Sequence, residues 1–491
     1  MRLAIGWLAA LTAAFLISVP IWLPDFPPLV DLPQHAANLE LARQLILGAS
    51  DWQKLVQNQW FTPYYGFYLP AFVLSLFLSS VTAAKVVAAV SMLSIPAAVA
   101  VVLRRRALSP WLALLVVPGL YGFAFQWGFV SFMVACSALV LGIDAIERYF
   151  ESGARQGTAA IAAYSILLFF LHAYAYGLFM VIYGVRWLTC SRALRAVLVA
   201  LPSGILALAW LAWAAQGPAQ AKQPVLWDLG WGRIGQLMRD LLGVDFGGAE
   251  QLLGFAIIAL ICLGVGGSRL SRSPWRLLPV LIVVAAYFVL PNRVMGTYFT
   301  YQRFSIFILP LLLLALQPRQ LPAAEAASPG GTLGGLIAGL LVALVLSIQG
   351  AKAYQFDRES AGFTPILKAI PERQRVLYLA FDPQTLWYSA PSYLHFAQWY
   401  GAQKKGFVEF NFASFYGLPV VYQPPAGALA PPNIEWFPNQ FRCDAPYVKE
   451  FGYVLVKAEI DLGEMYFDDP RCGLSLMQSG GGWWLYGHKK G

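Results

Sequence analysis

The segment PDFPPLVDLPQHAANLELARQL, residues 24–45, places two carboxylates and a histidine directly after the first long apolar run of the chain. Asp31 and His35 are four residues apart at the start of a predicted helix, so both side chains can lean toward one point. A carboxylate held there could act as a general base. The structural alternative is that Asp31 caps the helix and His35 is an interfacial side chain. Asp25 is a second candidate acid, unless it only ends the apolar run.

Four further residues could bind a charged substrate. His172 interrupts the apolar run SILLFFLHAYAYG, and ionisable groups at membrane depth are costly and often functional. The alternative is a neutral imidazole that is hydrogen-bonded to a neighbouring helix. Lys85, Arg293 and Arg303 lie at predicted ends of apolar runs, where they could extend to lipid headgroups or clamp a phosphate. Arg303 enters an otherwise apolar helix, which favours a functional role there.

The composition indicates the class of protein that must position these residues. The chain is 58% hydrophobic and 12% charged, whereas soluble proteins carry roughly 25% charged residues. Long apolar runs recur from residue 3 to residue 350, which predicts a polytopic α-helical membrane protein. The formal charge of +9 arises in this part and indicates topology-setting arginines and anionic lipids. No basic patch interleaved with aromatic residues suggests nucleic-acid binding, and no nucleotide-binding loop or hydrolase motif is present.

The arginines predict which loops face the cytosol. About eleven spans place thirteen arginines in short loops on one side, as the positive-inside tendency requires, if residues 64–80 lie along the outer surface. The N-terminus is then inside and the C-terminal segment outside. The predicted spans are 3–23, 82–103, 109–123, 128–146, 158–172, 174–189, 194–214, 250–267, 275–291, 303–317 and 331–350. The inner arginines are Arg2, Arg104, Arg105, Arg106, Arg148, Arg155, Arg186, Arg192, Arg195, Arg269, Arg272, Arg276 and Arg319.

The segment 351–491 has the pattern of a small α/β domain outside the membrane. Strands are predicted at 375–381, 418–422, 453–457 and 483–487, and helices at 359–370 and 392–403. Residues 1–350 form the transmembrane domain, with a first outer loop and juxtamembrane helices at 24–81. Cys443 and Cys472 lie in the polar tail and are a candidate disulfide if this tail is outside the cytoplasm. No Cys/His metal spacing is present.

This layout resembles the C-type superfamily of integral membrane glycosyltransferases (GT-C), which includes lipid A aminoarabinose transferases and protein mannosyltransferases. The matching features are Asp31 in VDLPQHAANLELARQL, the juxtamembrane segment 64–80, and the basic end of the second span in VVLRRR, residues 101–106. The acidic pair DE that is usual in the family is absent, since Leu32 follows Asp31. Asp25 and Asp31 therefore stay alternative catalytic acids, and the use of a divalent metal ion stays open.

The resemblance implies transfer of a sugar from a polyprenyl-phosphate-linked donor to a lipid or glycan acceptor, on the periplasmic face of a bacterial inner membrane. In that chemistry Asp31 would deprotonate the acceptor hydroxyl, and Arg303, with Arg293 or Lys85, would hold the phosphate. His35 or His172 would orient the substrate. Two other classes stay open: a transporter or lipid flippase, which would carry polar groups through the full membrane depth, and a non-catalytic envelope scaffold.

Overall fold

The computed structural model describes residues 2–152, 155–189, 193–215, 223–243, 247–265, 267–319, 329–423, 429–432 and 434–488. The helices are α1 (Arg2–Trp22), α2 (Leu32–Ile46), α3 (Tyr65–Ser75), α4 (Ser80–Arg105), α5 (Val117–Leu120), α6 (Phe123–Gln126), α7 (Val130–Ser152), α8 (Arg155–Leu171), α9 (Ala173–Leu188), α10 (Ala193–Ala215), α11 (Gly232–Leu242), α12 (Gly247–Leu263), α13 (Pro274–Val289), α14 (Ile308–Leu314), α15 (Pro329–Ser360), α16 (Phe363–Ala369), α17 (Gln398–Lys404) and α18 (Gly463–Tyr466). The strands are β1 (Val56–Asn58), β2 (Ser268–Leu270), β3 (Leu316–Pro318), β4 (Arg375–Ala380), β5 (Phe407–Val408), β6 (Val420–Tyr422), β7 (Tyr453–Lys457), β8 (Leu474–Gly480) and β9 (Trp483–His488).

The apolar runs fold as helices. Within the described ranges, four helical segments are long and apolar enough to cross a membrane: Ser80–Arg105, Val130–Glu151, Val197–Ala215 and Gly334–Ser360. The other predicted spans coincide with shorter apolar helices or with α9, and two of them, 109–123 and 303–317, begin with 3₁₀ turns at Pro110–Val116 and Gln302–Phe307. The chain is therefore an α-helical protein with membrane-spanning potential, and the count of eleven crossings stays a prediction.

The loops that we predict to face the cytosol meet at one end of the helices. Arg105 pairs with Asp144 at 2.9 Å, and Arg106 pairs with Glu147 at 2.6 Å, which joins the end of α4 to the end of α7. The antiparallel pair β2–β3 joins the segment after α12 to the segment after α14. Neighbouring carboxylates therefore offset part of the positive charge that the sequence places on this side. Arg192 lies outside the described residues.

The C-terminal segment contains a mixed five-stranded sheet of order β5-β4-β7-β9-β8. Strand β4 is parallel to β5 and β7, whereas β9 is antiparallel to β7 and β8. The strand predictions at 375–381, 453–457 and 483–487 are confirmed, and β8 is an additional strand. The strand at 418–422 is confirmed in part as β6, but it pairs outside this sheet. The predicted helix 359–370 is split between the end of α15 and α16, and the one at 392–403 is shortened to α17.

The first loop is bound directly to the C-terminal segment. Strand β6 pairs with β1 of the first loop, in the register Gln57 opposite Val421. The side chain of Gln34 on α2 donates to the carbonyl of Phe410 and accepts from the backbone N–H of Phe412, each at 3.0 Å. These hydrogen bonds join the first loop directly to the C-terminal segment. Residues 24–58 and the C-terminal segment therefore lie on the same side of the helices.

The candidate disulfide is present in the structure. Cys443 and Cys472 are bonded, with their Cα atoms 4.5 Å apart. The bond closes the chain between the segment before β7 and the start of β8. Both sulfur atoms lie against the carbonyl oxygen of Tyr466. The cross-link therefore restricts the part of the C-terminal segment that has short 3₁₀ turns and few strands.

Candidate functional site

The start of α2 holds Asp31 in place without using its side chain. Asp31 is the residue before the first turn of the helix, yet its carboxylate makes no hydrogen bond to the helix amides. Its backbone N–H donates to the carbonyl of Trp127 at 3.0 Å. Gly128, the residue after Trp127, has a φ of +75°, and a Cβ atom at this position would lie 3.1 Å from the backbone nitrogen of Asp31. The turn after α6 therefore fixes the backbone of Asp31, while the carboxyl group stays available for chemistry. The capping alternative is not realised.

His395 of the C-terminal segment faces this carboxyl group, and Glu435 lies at the other side of the imidazole. The Nε2 atom of His395 lies 3.7 Å from Oδ1 of Asp31, and its Nδ1 atom lies 3.8 Å from Oε1 of Glu435. His395 stacks on the ring of Phe410, with 5.2 Å between the ring centroids. Asp31, His395 and Glu435 are 8%, 5% and 1% exposed. Both carboxyl groups are therefore buried on opposite sides of one imidazole.

Arg303 provides the positive charge of the site. It lies in the buried 3₁₀ turn Gln302–Phe307, and its guanidinium stacks 3.5 Å from the ring centre of Phe129. Its Nη2 atom donates to the carbonyl of Tyr298 at 3.2 Å, and its charge opposes in part the rise that burial causes in the pKa of Tyr64. Its Nε atom is buried without a hydrogen-bond partner among the described residues. The guanidinium is thus fixed by an aromatic face and keeps donor capacity.

The histidines predicted from the sequence lie on either side of Tyr64. The ring centroid of His35 is 6.0 Å from that of Tyr64, and the ring of His172 is 5.1 Å away. Nδ1 of His35 is hydrogen-bonded to the hydroxyl of Tyr68 at 2.8 Å, and Nδ1 of His172 accepts the backbone N–H of Tyr174 at 3.2 Å. In both rings Nε2 is buried and has no partner within the described chain. Each ring therefore presents one unused nitrogen.

Burial decides the charges of these groups. It raises the pKa of Asp31 to about 8, although the charge of Arg303 lowers that pKa in part. Burial also lowers the pKa of His35 and that of His395 to about 3 each, so both imidazoles are neutral at physiological pH. The pKa of Glu435 is raised well above its usual range for the same reason. A carboxyl group with a pKa close to neutrality is suited to accept a proton from a substrate.

Three of the predicted site residues lie elsewhere. The ammonium of Lys85 donates to the carbonyl of Pro24 at 2.9 Å, and the backbone N–H of Asp25 donates to Asp357 at 3.0 Å. Asp25 is exposed and makes none of these contacts with the Asp31 group, so it is the weaker candidate acid. Arg293 donates to the hydroxyl of Tyr298 at 2.7 Å. Because the backbone carbonyl of Tyr298 accepts from Arg303, Arg293 and Arg303 bind the same residue. Arg293 therefore supports the guanidinium of Arg303 indirectly, through Tyr298.

A cavity of about 280 Å³ lies beside the site. It is lined by aromatic rings and polar side chains, among them Trp127, Gln302, Arg239 and Ser389. The Oε1 atom of Gln302 is buried without a partner in the described part of the chain. Since Trp127 binds the backbone of Asp31 and Gln302 precedes Arg303, this cavity is contiguous with the elements that carry the site. Its lining could hold a hydroxyl-bearing ligand.

A metal centre is not apparent in this cluster. In the ranges that the structure describes, no three His, Cys, Asp or Glu side chains are grouped so that they could hold a metal ion. Asp31 and Glu435 are held on opposite sides of His395 and do not converge. The use of a divalent metal ion therefore stays a prediction, and the described residues of this cluster do not form a site for one.

Neither the protein families nor the curated proteins provide a match for this chain. The assignment of a function therefore depends on the residues of the site. Asp31, His35, His172 and Arg303 come together as the sequence indicated, whereas His395 and Glu435 were missed. One signal could have pointed to His395, because it is among only four histidines in the chain.

Proposed function

We propose that the protein is a membrane glycosyltransferase that moves a sugar from a polyprenyl-phosphate-linked donor to a hydroxyl group of a lipid or glycan acceptor of the cell envelope. One observation carries this proposal. The carboxyl group of Asp31 is buried where the first loop meets the C-terminal segment, leaves its helix uncapped, and lies within the field of the Arg303 guanidinium. A base beside a fixed cation is the pair of groups that this reaction requires.

The reaction follows from these two side chains. Asp31 removes the proton as the acceptor oxygen bonds to the anomeric carbon, and the bond from that carbon to the phosphate oxygen breaks. The electron pair stays on the phosphate, whose charge Arg303 stabilises, and a guanidinium fork suits phosphate oxygens. The free Nε2 atoms of His35 and His172 are available for hydrogen bonds with sugar hydroxyls, and since Nδ1 of neutral His172 accepts the N–H of Tyr174, its Nε2–H donates. The cavity beside Trp127 offers space for part of a substrate.

The proposed location is the inner membrane of a bacterium, with the N-terminus inside and the site outside. In the part of the chain that the structure describes, four helices have the length and apolar character of spans, and the arginine distribution favours eleven crossings. The disulfide between Cys443 and Cys472 favours an oxidising compartment for the C-terminal segment. A polyprenyl phosphate is an amphiphile of the bilayer, so a site at this surface would meet the reacting bond at the depth of the phosphate.

The test is a matched pair of substitutions in a strain that lacks the gene. Asp31→Asn should lower formation of the glycosylated envelope product by about 10²-fold or more, the typical contribution of a general base. Asp25→Asn is the control, because Asp25 is exposed and lies outside the cluster; it should keep the product. Product is measured by mass spectrometry of extracted lipids and glycans. Full activity of Asp31→Asn, at equal protein level in the membrane, would refute the assignment.

A second pair addresses the phosphate. Arg303→Met removes the cation and should lower transfer strongly, whereas Arg303→Lys keeps the charge without the planar fork and should restore part of it. A transporter or flippase would give another pattern: the envelope product would be unchanged in structure and would accumulate on the wrong side of the membrane. A scaffold would tolerate both substitutions at the Asp31 and Arg303 positions.

A further inference from the structure

Glu435 is a buried carboxyl group that the proposed reaction leaves without a role. It is 1% exposed, and neither of its oxygen atoms has a hydrogen-bond partner among the described residues. Among the described side chains, His395 lies 3.8 Å from it, and the charge of Glu435 acts on the pKa values of Tyr378 and Tyr422. An unpaired buried carboxylate is strongly unfavourable. The group therefore needs either a proton or a donor.

The charges of the site indicate which carboxyl group carries a proton. Arg303 acts on Asp31, His35 and His172, and Asp31 is the carboxyl group that its charge favours as an anion. Glu435 gains no such stabilisation from Arg303, and burial raises its pKa well above the usual range. Of the two buried carboxyl groups, Asp31 is therefore the one that ionises more readily, and Glu435 is the one that keeps its proton.

We propose that Glu435, as a neutral carboxylic acid, donates a hydrogen bond to Nδ1 of His395, and thereby holds His395 as the tautomer whose Nε2–H points at the carboxylate of Asp31. The tautomer of an imidazole is set by the partner of its other nitrogen. Nδ1 of His395 has no other hydrogen-bond partner within the described residues. The stacking of its ring on Phe410 fixes the plane in which the two nitrogen atoms point at Asp31 and Glu435.

The effect of this hydrogen bond on catalysis rests on the proposed function, in which Asp31 is the base. The contacts of 3.7 and 3.8 Å are longer than hydrogen bonds, and catalytic contacts often shorten when substrate binds. An N–H donor favours the anionic form of Asp31 and so lowers its pKa. His395 and Glu435 would therefore be positioning residues that increase the fraction of Asp31 that is ready to accept a proton. Among the described residues, the charge of Arg303 acts on Asp31, the charge of Asp31 acts on Tyr64 and Tyr68, and His35 acts on His395.

The first experiment compares two substitutions of Glu435 by the pH dependence of transfer. Glu435→Gln keeps an N–H donor toward Nδ1, and its acidic half-maximum should stay within a few tenths of a pH unit of the native value. Glu435→Met has similar size but no donor, and the half-maximum should move up by about one pH unit. Equal half-maxima in the two variants would overturn the proposal. That result is expected if Glu435 is instead a carboxylate that accepts a hydrogen bond from His395, because both variants lack this carboxylate.

Glu409 is the matched control. It is also a buried carboxyl group of the C-terminal segment, but it faces Arg375 and accepts the backbone N–H of Ala430 at 2.9 Å. Glu409→Gln should lower the thermal midpoint and leave the acidic half-maximum unchanged. A shift of the half-maximum in this control equal to that in Glu435→Met would show a general structural effect and would overturn the specific role of Glu435.

A second measurement does not require any transfer activity. Magic-angle-spinning NMR of the full-length protein with ¹⁵N-labelled histidine distinguishes the two neutral tautomers, and His395→Gln assigns the signal. We expect His395 protonated at Nε2 in the native protein and in Glu435→Gln, and a mixture of tautomers in Glu435→Met. Protonation at Nδ1 in the native protein would overturn the proposal. If the tautomer is as expected while Asp31→Asn retains transfer, the proposed function fails and the hydrogen-bond arrangement stands.

Discussion

Replacement of Asp31 by Asn should stabilise the protein while it abolishes transfer, and the gain should depend on pH. Asn has nearly the shape of Asp but does not ionise. The native carboxyl group is 8% exposed, and burial raises its pKa from 3.8 to about 8. The folded state therefore binds this proton more tightly than the unfolded state does, and folding becomes less favourable as the proton is lost.

The sign and size follow from these two pKa values. Below pH 4 Asp31 is protonated in both the folded and the unfolded state, so its carboxyl group does not reduce the free energy of unfolding of the wild type. Between about pH 4 and pH 8 the unfolded state has lost the proton, so the free energy of unfolding falls by about 1.4 kcal/mol per pH unit. Over the four units between 3.8 and about 8 the loss approaches ~6 kcal/mol, and above pH 8 it is constant.

The assay is a series of thermal unfolding scans of the purified protein in detergent, from pH 4 to pH 9, followed by intrinsic tryptophan fluorescence. The midpoint of Asp31→Asn should match that of the wild type near pH 4 and exceed it increasingly up to about pH 8. Asp25→Asn is the control, because Asp25 is exposed, and its difference from the wild type should not depend on pH. A constant difference between Asp31→Asn and the wild type across the series would refute the reasoning.

Two further predictions concern the scaffold of the site. Gly128→Ala should lower transfer strongly, because φ of +75° and a Cβ 3.1 Å from the nitrogen of Asp31 force the start of α2 to move; the control Gly177→Ala meets nothing within 4 Å and should be active in the same transfer assay. Cys443→Ser opens a disulfide whose cysteines are 29 residues apart, which should destabilise the C-terminal segment by about 3 to 4 kcal/mol. Limited proteolysis checks this: cleavage between β6 and β8 should accelerate, and an unchanged rate would contradict it.

The sequence predicted the parts of the site that depend on sidedness. Because arginine-rich loops favour one face of a membrane, the opposite face had to receive Asp31, the tip that carries His172, and the turn that carries Arg303. The structure brings these three residues together. The long helices were also predictable, because an apolar run of about 20 residues forms few other structures in a bilayer.

The rest of the site depends on contacts across long stretches of chain. His395 and Glu435 are more than 360 residues from Asp31, and a single sequence contains no periodicity that pairs them. Strand β6 looked like part of the C-terminal sheet, but its partner is β1 of the first loop, more than 350 positions away along the chain. Lys85 and Arg293 are residue types that bind phosphate, yet the structure has each of them donating to a backbone carbonyl group and not to the Asp31 cluster.

The location of the site outside the cytosol is tested most directly by cysteine labelling. In a background without the three cysteines that lie outside the disulfide, Leu386→Cys places a thiol at a side chain that is 81% exposed in the C-terminal segment, and Arg104→Cys places one at the predicted inner end of α4. A membrane-impermeant maleimide should label Leu386→Cys in right-side-out vesicles and Arg104→Cys only after permeabilisation. The reverse pattern would place Asp31 in the cytosol and contradict the account.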